Sequence, residues 1–528
     1  MARRRTGSSQ PTTVSTVDVG APPDGVTDST PGRTRARDPR PWSDRQVSRA
    51  ADDDEQRSPR PGPLVAVLAL GTTSLSLMQS LVVPLLPTIG AQLGVSANAA
   101  GWVLTANLLA AAVATPVLGR LGDTWGERPV ALGVLVAMSA GTLLALVTSS
   151  LPLLLVARVL QGASYGLFPL AISVLRRELP AGRLDVAMSV VSSTLAVGGV
   201  VGLVAAGLLT RDGADYHRPF WIGLVVCLVT LVLTAVVLPR RRATGSGRVD
   251  WAGAAVLAVG LVLLLLPVSQ GNAWGWTSPG TLGCLAGAAL VLPGWVLLQR
   301  RRAEPLVRPR LLADPRIVVP NVAGLLTGIG LFASFLVVLQ YVQTPPGAAG
   351  YGFGASVLEA AVVYLLPGGV AGVLLAPVAG RVVARVGALT TLRAGAVCGL
   401  AGFGLFAVLR DTPAQVIAAG LLTQIWVTVA YAALPALVVA AVRPEETGVA
   451  NAVNSIARSV GQAVGSTVTV AVLAAGTGAT GFPSAGSFTA VALVGAGSAA
   501  AVAAVTLVGR GRRSSAVEGG TAPVADAR

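Results

Sequence analysis

Arg158, Gln161, Gly162, Tyr165 and Gly166 stand three, four, seven and eight residues on from the arginine, a spacing that puts them on one helical face. The surrounding segment is apolar. An arginine inside hydrocarbon is costly unless it meets a partner or a cavity, so Arg158 is a functional candidate, with Gln161 and Tyr165 as cavity candidates beside it. The alternative for Arg158 is a side chain snorkelling to water from near the outer helix end. A second face carries Asn451, Asn454, Arg458, Gly461, Gln462 and Gly465, with Arg458 about ten residues into its helix, near mid-membrane, where it must pair or line a cavity. Acids within apolar segments are few, and Glu359 is the clearest, close in the chain to Gln340, Gln343 and Tyr351. A carboxyl at a partly dehydrated helix mouth can carry a proton at neutral pH, whereas a solvated one only complements the helix dipole. Gln79, Gln340, Gln424, Trp426, Tyr431 and Asn454 are further cavity candidates for an amphipathic or aromatic ligand, each also compatible with ordinary packing.

Other chemistry is excluded by what the chain lacks. Its one histidine, His217, and its three cysteines, Cys227, Cys284 and Cys398, lie apart, so no metal site or disulfide framework is expected. All 39 basic residues are arginine, which removes the phosphate-loop lysine and the Schiff-base lysine, and no cofactor is expected.

The elements that must position these residues are membrane helices. Of 528 residues 53% are hydrophobic and 12% charged, with a mean hydropathy of +0.70, against roughly 25% charged in soluble domains. Fourteen apolar segments follow one another at 64–86, 98–118, 130–148, 152–174, 187–208, 219–238, 251–268, 281–298, 319–342, 356–379, 389–409, 413–440, 448–475 and 487–508. Each is near the ~20 residues that cross ~30 Å of hydrocarbon. The expected fold class is an all-α polytopic membrane protein. Residues 1–62 and 510–528, rich in polar residues, read as disordered cytoplasmic tails, and the first has no apolar core of a signal peptide.

Arginines alternate between the connections. Those after even segments hold Arg120 and Arg128, then Arg176, Arg177 and Arg183, then Arg240 to Arg248, Arg300 to Arg316, Arg381 with Arg385, and Arg443. Those after odd segments hold only Arg211, Arg218 and Arg410. Because arginine concentrates in cytoplasmic loops, even connections and both tails are expected inside, and the net charge of +15 needs no nucleic-acid partner.

The connection after the second segment runs Gly119, Arg120, Leu121, Gly122, Asp123, Thr124, Trp125, Gly126, Glu127, Arg128. Its glycines allow a tight turn, and Asp123 can cap a neighbouring helix or pair with an arginine. The run resembles the G-x-L-a-D-r-x-G-r-[KR] signature of the major facilitator superfamily at Gly119, Leu121, Asp123, Gly126 and Arg128. A weaker echo at Gly380, Arg381, Ala384, Arg385 and Gly387 lies eight segments on. Facilitator halves are parallel six-helix repeats, so a separation of eight implies two inserted helices, as in the fourteen-span EmrB/QacA-like drug:proton antiporter branch.

The resemblance implies two six-helix bundles, 63–240 and 317–509, with two inserted helices and a cytoplasmic linker at 241–316. It implies a cytoplasmic latch among first-half spans at Gly119, Asp123, Gly126 and Arg128, and an Arg158 that faces the central cavity and handles protons through the R-x-x-Q-G pattern. Gly198, Gly202, Ala206, Gly461 and Gly465 are read as helix-packing positions. Two departures stand out: Leu203 replaces the antiporter proline in the fifth segment, and Met78 replaces the usual acid of the first. Coupling is therefore expected through Arg158 and Glu359, with Arg458 as a third charged candidate. The expected protein is not an enzyme but a monomeric cell-membrane exporter of hydrophobic or amphipathic small molecules, with protons and the lipid bilayer as its other partners. Uptake or uniport, and a polytopic sensor or enzyme, are the alternatives.

Overall fold

A computed structural model describes residues 61–209, 215–240, 249–478 and 481–518; the expected tails lie outside these except for residues 61–62 and 510–518. Among the described residues fourteen helices are long and apolar enough to cross a membrane. They are α1 (Pro61–Leu85), α2 (Ala99–Trp125), α3 (Glu127–Val147), α4 (Leu151–Glu178), α5 (Ala181–Leu209), α6 (Arg218–Val237), α7 (Trp251–Trp274), α8 (Pro279–Arg301), α9 (Pro315–Gln343), α10 (Val357–Val386), α11 (Ala388–Val408), α12 (Pro413–Ala441), α13 (Pro444–Ala475) and α14 (Ala485–Leu507). They match the apolar segments one for one. The helix containing α14 continues to Glu518, past the expected end at Val508. Among the described residues there is no β-strand, only an isolated bridge between Thr477 and Pro483.

Local chemistry sets several helix starts. Ser96, Asp250, Ser278 and Ser356 each accept a backbone N–H of the first turn, and Thr412 with Gln415 forms a reciprocal capping box. Interruptions are equally local. A 3₁₀ turn over Ala163–Gly166 divides α4, and a π segment over Ala360–Leu365 precedes Pro367 in α10.

Glycine contacts assemble the bundle. A Cβ on Gly198 would stand 2.3 Å from the Thr73 carbonyl oxygen of α1, and one on Gly202 2.6 Å from that of Leu77, so α5 lies backbone to backbone on α1. Ala206, a turn on, is buried. In the second half Gly461 and Gly465 approach the carbonyls of Leu325 and Ile329, placing α13 on α9 in the same way. The repeat extends to the connections: Gly126 (φ 94°, ψ 147°) and Gly387 (φ 85°, ψ 149°) share one left-handed conformation that favours glycine.

The inserted pair differs in its two members. Asp250 caps α7 and accepts Nε2 of Gln299 at 2.9 Å, while Trp295 of α8 donates to the Gly253 carbonyl at 2.9 Å, tying the pair together. Farther along, α7 bridges the two halves. Gln270 donates to Thr105 of α2 at 3.0 Å, and Thr467 of α13 donates to the Val268 carbonyl at 2.6 Å.

Candidate functional site

Arg158 is 1% exposed, which rules out snorkelling. Its Nε donates to the Val103 carbonyl of α2 at 3.1 Å, and its Nη1 donates to Gln161 Oε1 at 2.5 Å and to the Met78 carbonyl of α1 at 3.4 Å. Gln161 passes the network to Thr142 of α3 at 3.2 Å, and Asn107 holds the Arg158 carbonyl at 3.1 Å. Helices α1 and α2 therefore meet on the guanidinium of α4, and α3 joins through Gln161. Close approach depends on Gly162, where a Cβ would lie 2.8 Å from the Asn107 carbonyl oxygen. Met78, at the place of the family's usual acid, contributes its carbonyl to Arg158, and its sulfur accepts a weak bond from Thr142 at 3.7 Å.

Arg458 occupies the boundary between the halves. Its Cζ lies 4.6 Å from the ring centroid of Phe168, on α4, and 4.7 Å from that of Tyr431, on α12. Nη2 donates to Ser455 at 3.2 Å, and Gln462 donates to the Tyr431 hydroxyl at 3.3 Å. Tyr165, in the 3₁₀ turn of α4, sits within electrostatic reach of both Arg158 and Tyr431. Nη2 of Arg158, Nη1 of Arg458 and the Tyr165 hydroxyl are buried without a hydrogen-bond partner.

The remaining candidates separate. Glu359 is exposed in the first turn of α10, over the Ser356 cap, which corrects the expected dehydrated mouth and fits the alternative of a solvated carboxylate complementing the helix dipole. Trp426 is corrected from cavity to core. It is fully buried, its ring fills the space over Gly330, Gly395 and Gly399, and it meets Phe403 edge-on. Asn454 is likewise engaged in packing, donating to Pro320 O and Asn321 Oδ1 of α9 at 2.8 and 3.2 Å. Gln424 faces Gly368 and Gly372 of α10, Gln79 is half-buried, and Gln340 is exposed.

At one end of the bundle the halves are clamped. Asp123 is buried, and its two oxygens accept the backbone N–H groups of Gly448 at 3.2 Å and Val449 at 3.1 Å, at the start of α13. A carboxylate on the free amides of a helix N-terminus is favoured by hydrogen bonding and by the dipole together. Gly119 and Gly448 let the backbones touch: a Cβ on Gly119 would lie 2.9 Å from the Gly448 carbonyl oxygen. The clamp thus joins the halves, which corrects the expectation of a latch among first-half spans. Gly126 supplies the turn, while Arg128 lies apart from the clamp, donating to the Ala235 carbonyl of α6 at 2.6 Å.

Sequence reasoning missed two residues that join the halves, one near the clamp and one at Arg458. Arg176, read only as a loop charge, donates to the Val442 carbonyl at 2.9 Å and to Thr447 at 2.5 Å. Phe168 continues the spacing of Arg158, Gln161 and Tyr165 by three more residues, a signal that extending the helical face would have found.

A membrane protein of two repeated helical halves, with arginines buried at and beside their contact, has the architecture of a solute transporter. Residues 68–466 match the Major Facilitator Superfamily, and the chain belongs to that family of transporters, which are not enzymes. It is 32% identical over 263 residues to the multidrug resistance protein B homolog of Mycobacterium tuberculosis, covering 48% of each chain. It is 29% identical over 320 residues to the tetracenomycin C resistance and export protein of Streptomyces glaucescens, covering 60% of this chain and 59% of that one. The chain spans about half the length of the curated relatives it matches. The crystal structure of the human organic anion transporter MFSD10 superposes with a TM-score of 0.57 at 17% identity, over 84% of this chain and 100% of that one, a likeness of fold alone.

Proposed function

We propose that this chain exports hydrophobic or amphipathic compounds across the cell membrane in exchange for protons, as a monomer of two six-helix bundles with α7 and α8 between them. The observation that carries the reading is the Asp123 clamp. It is a buried acid that joins the two halves at one end of the bundle, and alternating access requires such a contact to break and reform. Protonation would cancel the charge on the α13 amides and favour opening there. The names of the relatives, which speak of resistance and export, support the direction of transport. A uniporter is the second reading, favoured by Met78 at the position of the usual acid.

Inverted membrane vesicles loaded with a lipophilic dye test both. Accumulation that appears with a proton gradient and collapses with a protonophore supports exchange; downhill equilibration indifferent to the gradient returns the uniporter. Because Glu359 is exposed, Glu359→Gln should retain at least half of the proton-driven rate, and a complete loss would restore Glu359 as the coupling acid.

Orientation follows the arginine alternation, with both tails and the Asp123 end in the cytoplasm. Reporter tags placed after Arg248 and after Arg316 should read as internal, and one between Gln270 and Pro279 as external. A tag after Arg316 reading as external would overturn this orientation.

A further inference from the structure

Arg158 and Arg458 set two permanent positive charges inside the helix bundle, because a guanidinium does not deprotonate in a protein. Among the described residues no carboxylate forms an ion pair with either; their electrostatic neighbours are Tyr165 and Tyr431. A charge kept in such a place without a counter-ion marks a path for something that brings one.

The unsatisfied atoms share one chemistry. Nη2 of Arg158 and Nη1 of Arg458 are donors only, and the Tyr165 hydroxyl can donate as well. What they lack is an acceptor bearing negative charge, and the planar guanidinium fork suits a carboxylate. Aromatic surface lies beside it, Phe168 against one side of Arg458 and Tyr431 against another. Phe168 belongs to the first half, whereas Arg458 and Tyr431 belong to the second. Parting of the halves would draw Phe168 away and open the guanidinium to the space between them.

We propose that Arg458 is the recognition point for an amphipathic organic anion, a carboxylate on an aromatic body. Arg158 adds to the positive field, and Phe168, Tyr165 and Tyr431 cover the apolar part. The proposal rests on the exporter reading and narrows its substrate class.

The test is equilibrium binding to the purified full chain in lipid nanodiscs of 2-naphthoate and of 2-naphthamide, its neutral counterpart of similar shape. The naphthoate should bind at least tenfold more tightly. Arg458→Gln should bring it to the level of the amide without weakening the amide. Arg458→Lys, which keeps the charge and so guards against misfolding of the glutamine variant, should lose at least threefold for the naphthoate alone. Equal binding of the two compounds by the unaltered chain, or a full preference surviving in the lysine variant, overturns the site. Proton-driven accumulation of ethidium in inverted vesicles is measured alongside. Accumulation without anion preference overturns the anion site and leaves the exporter standing; anion preference without accumulation of ethidium or of the naphthoate supports the site and removes the exporter.

Discussion

Asp123→Asn should reduce transport more than tenfold while the protein inserts and folds normally. The substitution keeps the size of the side chain but removes its charge, and one of its two terminal atoms becomes a donor facing the backbone N–H groups of Gly448 and Val449. Hydrogen bonds to a charged group contribute ~1.5–3 kcal/mol each, so losing one and weakening the other amounts to about 3 kcal/mol. At 1.4 kcal/mol per factor of ten, that moves the balance between closed and open clamp by roughly a hundredfold. The measurement is labelling of a cysteine introduced at Ala452, which lies against Gly119 in the closed clamp. Thiol labelling there should rise in the Asn variant, with transport falling in parallel. Wild-type labelling and wild-type transport together would reduce the Asp123 contact to a packing detail.

Gly461→Ala should prevent stable folding, or lower the thermal midpoint by at least 10 °C. The added Cβ would stand 1.9 Å from the Leu325 carbonyl oxygen and 2.8 Å from its carbon, both backbone atoms of α9 that no rotamer change can move. Overpacking of a filled contact costs about 1–3 kcal/mol where neighbours can yield, and this one cannot without parting α13 from α9. Gly404→Ala in α11 is the control, because nothing lies within 4 Å of its new methyl and alanine is the better helix former. Midpoints from heated, size-separated detergent extracts decide the matter. Equal midpoints for the two variants would show that the α9–α13 contact is not as close as described.

The number and order of the fourteen helices were legible because a membrane span announces itself locally: about twenty apolar residues must satisfy their own backbone hydrogen bonds in hydrocarbon, whatever lies beside them. Glycines at four-residue spacing on α5 and α13 were legible for a similar reason, since a helix stripped of side chains on one face has a use only against another backbone. The spacing of Arg158, Gln161 and Tyr165 placed them on one face, and that face is where the network forms. The turn at Gly126 was legible from the glycines of its loop, and the weaker echo at Gly387 folds into the same conformation.

Partners were another matter, because a side chain's role depends on what a distant segment brings to it. Asp123 was recognisable as a cap or an ion-pair partner, yet only packing selected α13, 325 residues away, over the arginines beside it in the chain. Tryptophan at 426 and asparagine at 454 are residue types that line cavities or fill cores, and which they do is fixed by the glycines of α9 and α11 in one case and the carbonyl of Pro320 in the other. Glu359 was expected to sit in a dehydrated mouth, but the sequence holds no statement of how neighbouring helices shield that turn, and in the fold they leave it exposed. Hydrophobic length and helical period act within one segment and so are written in it; burial, pairing and the meeting of Phe168 with Arg458 arise between segments, and tertiary structure alone decides them.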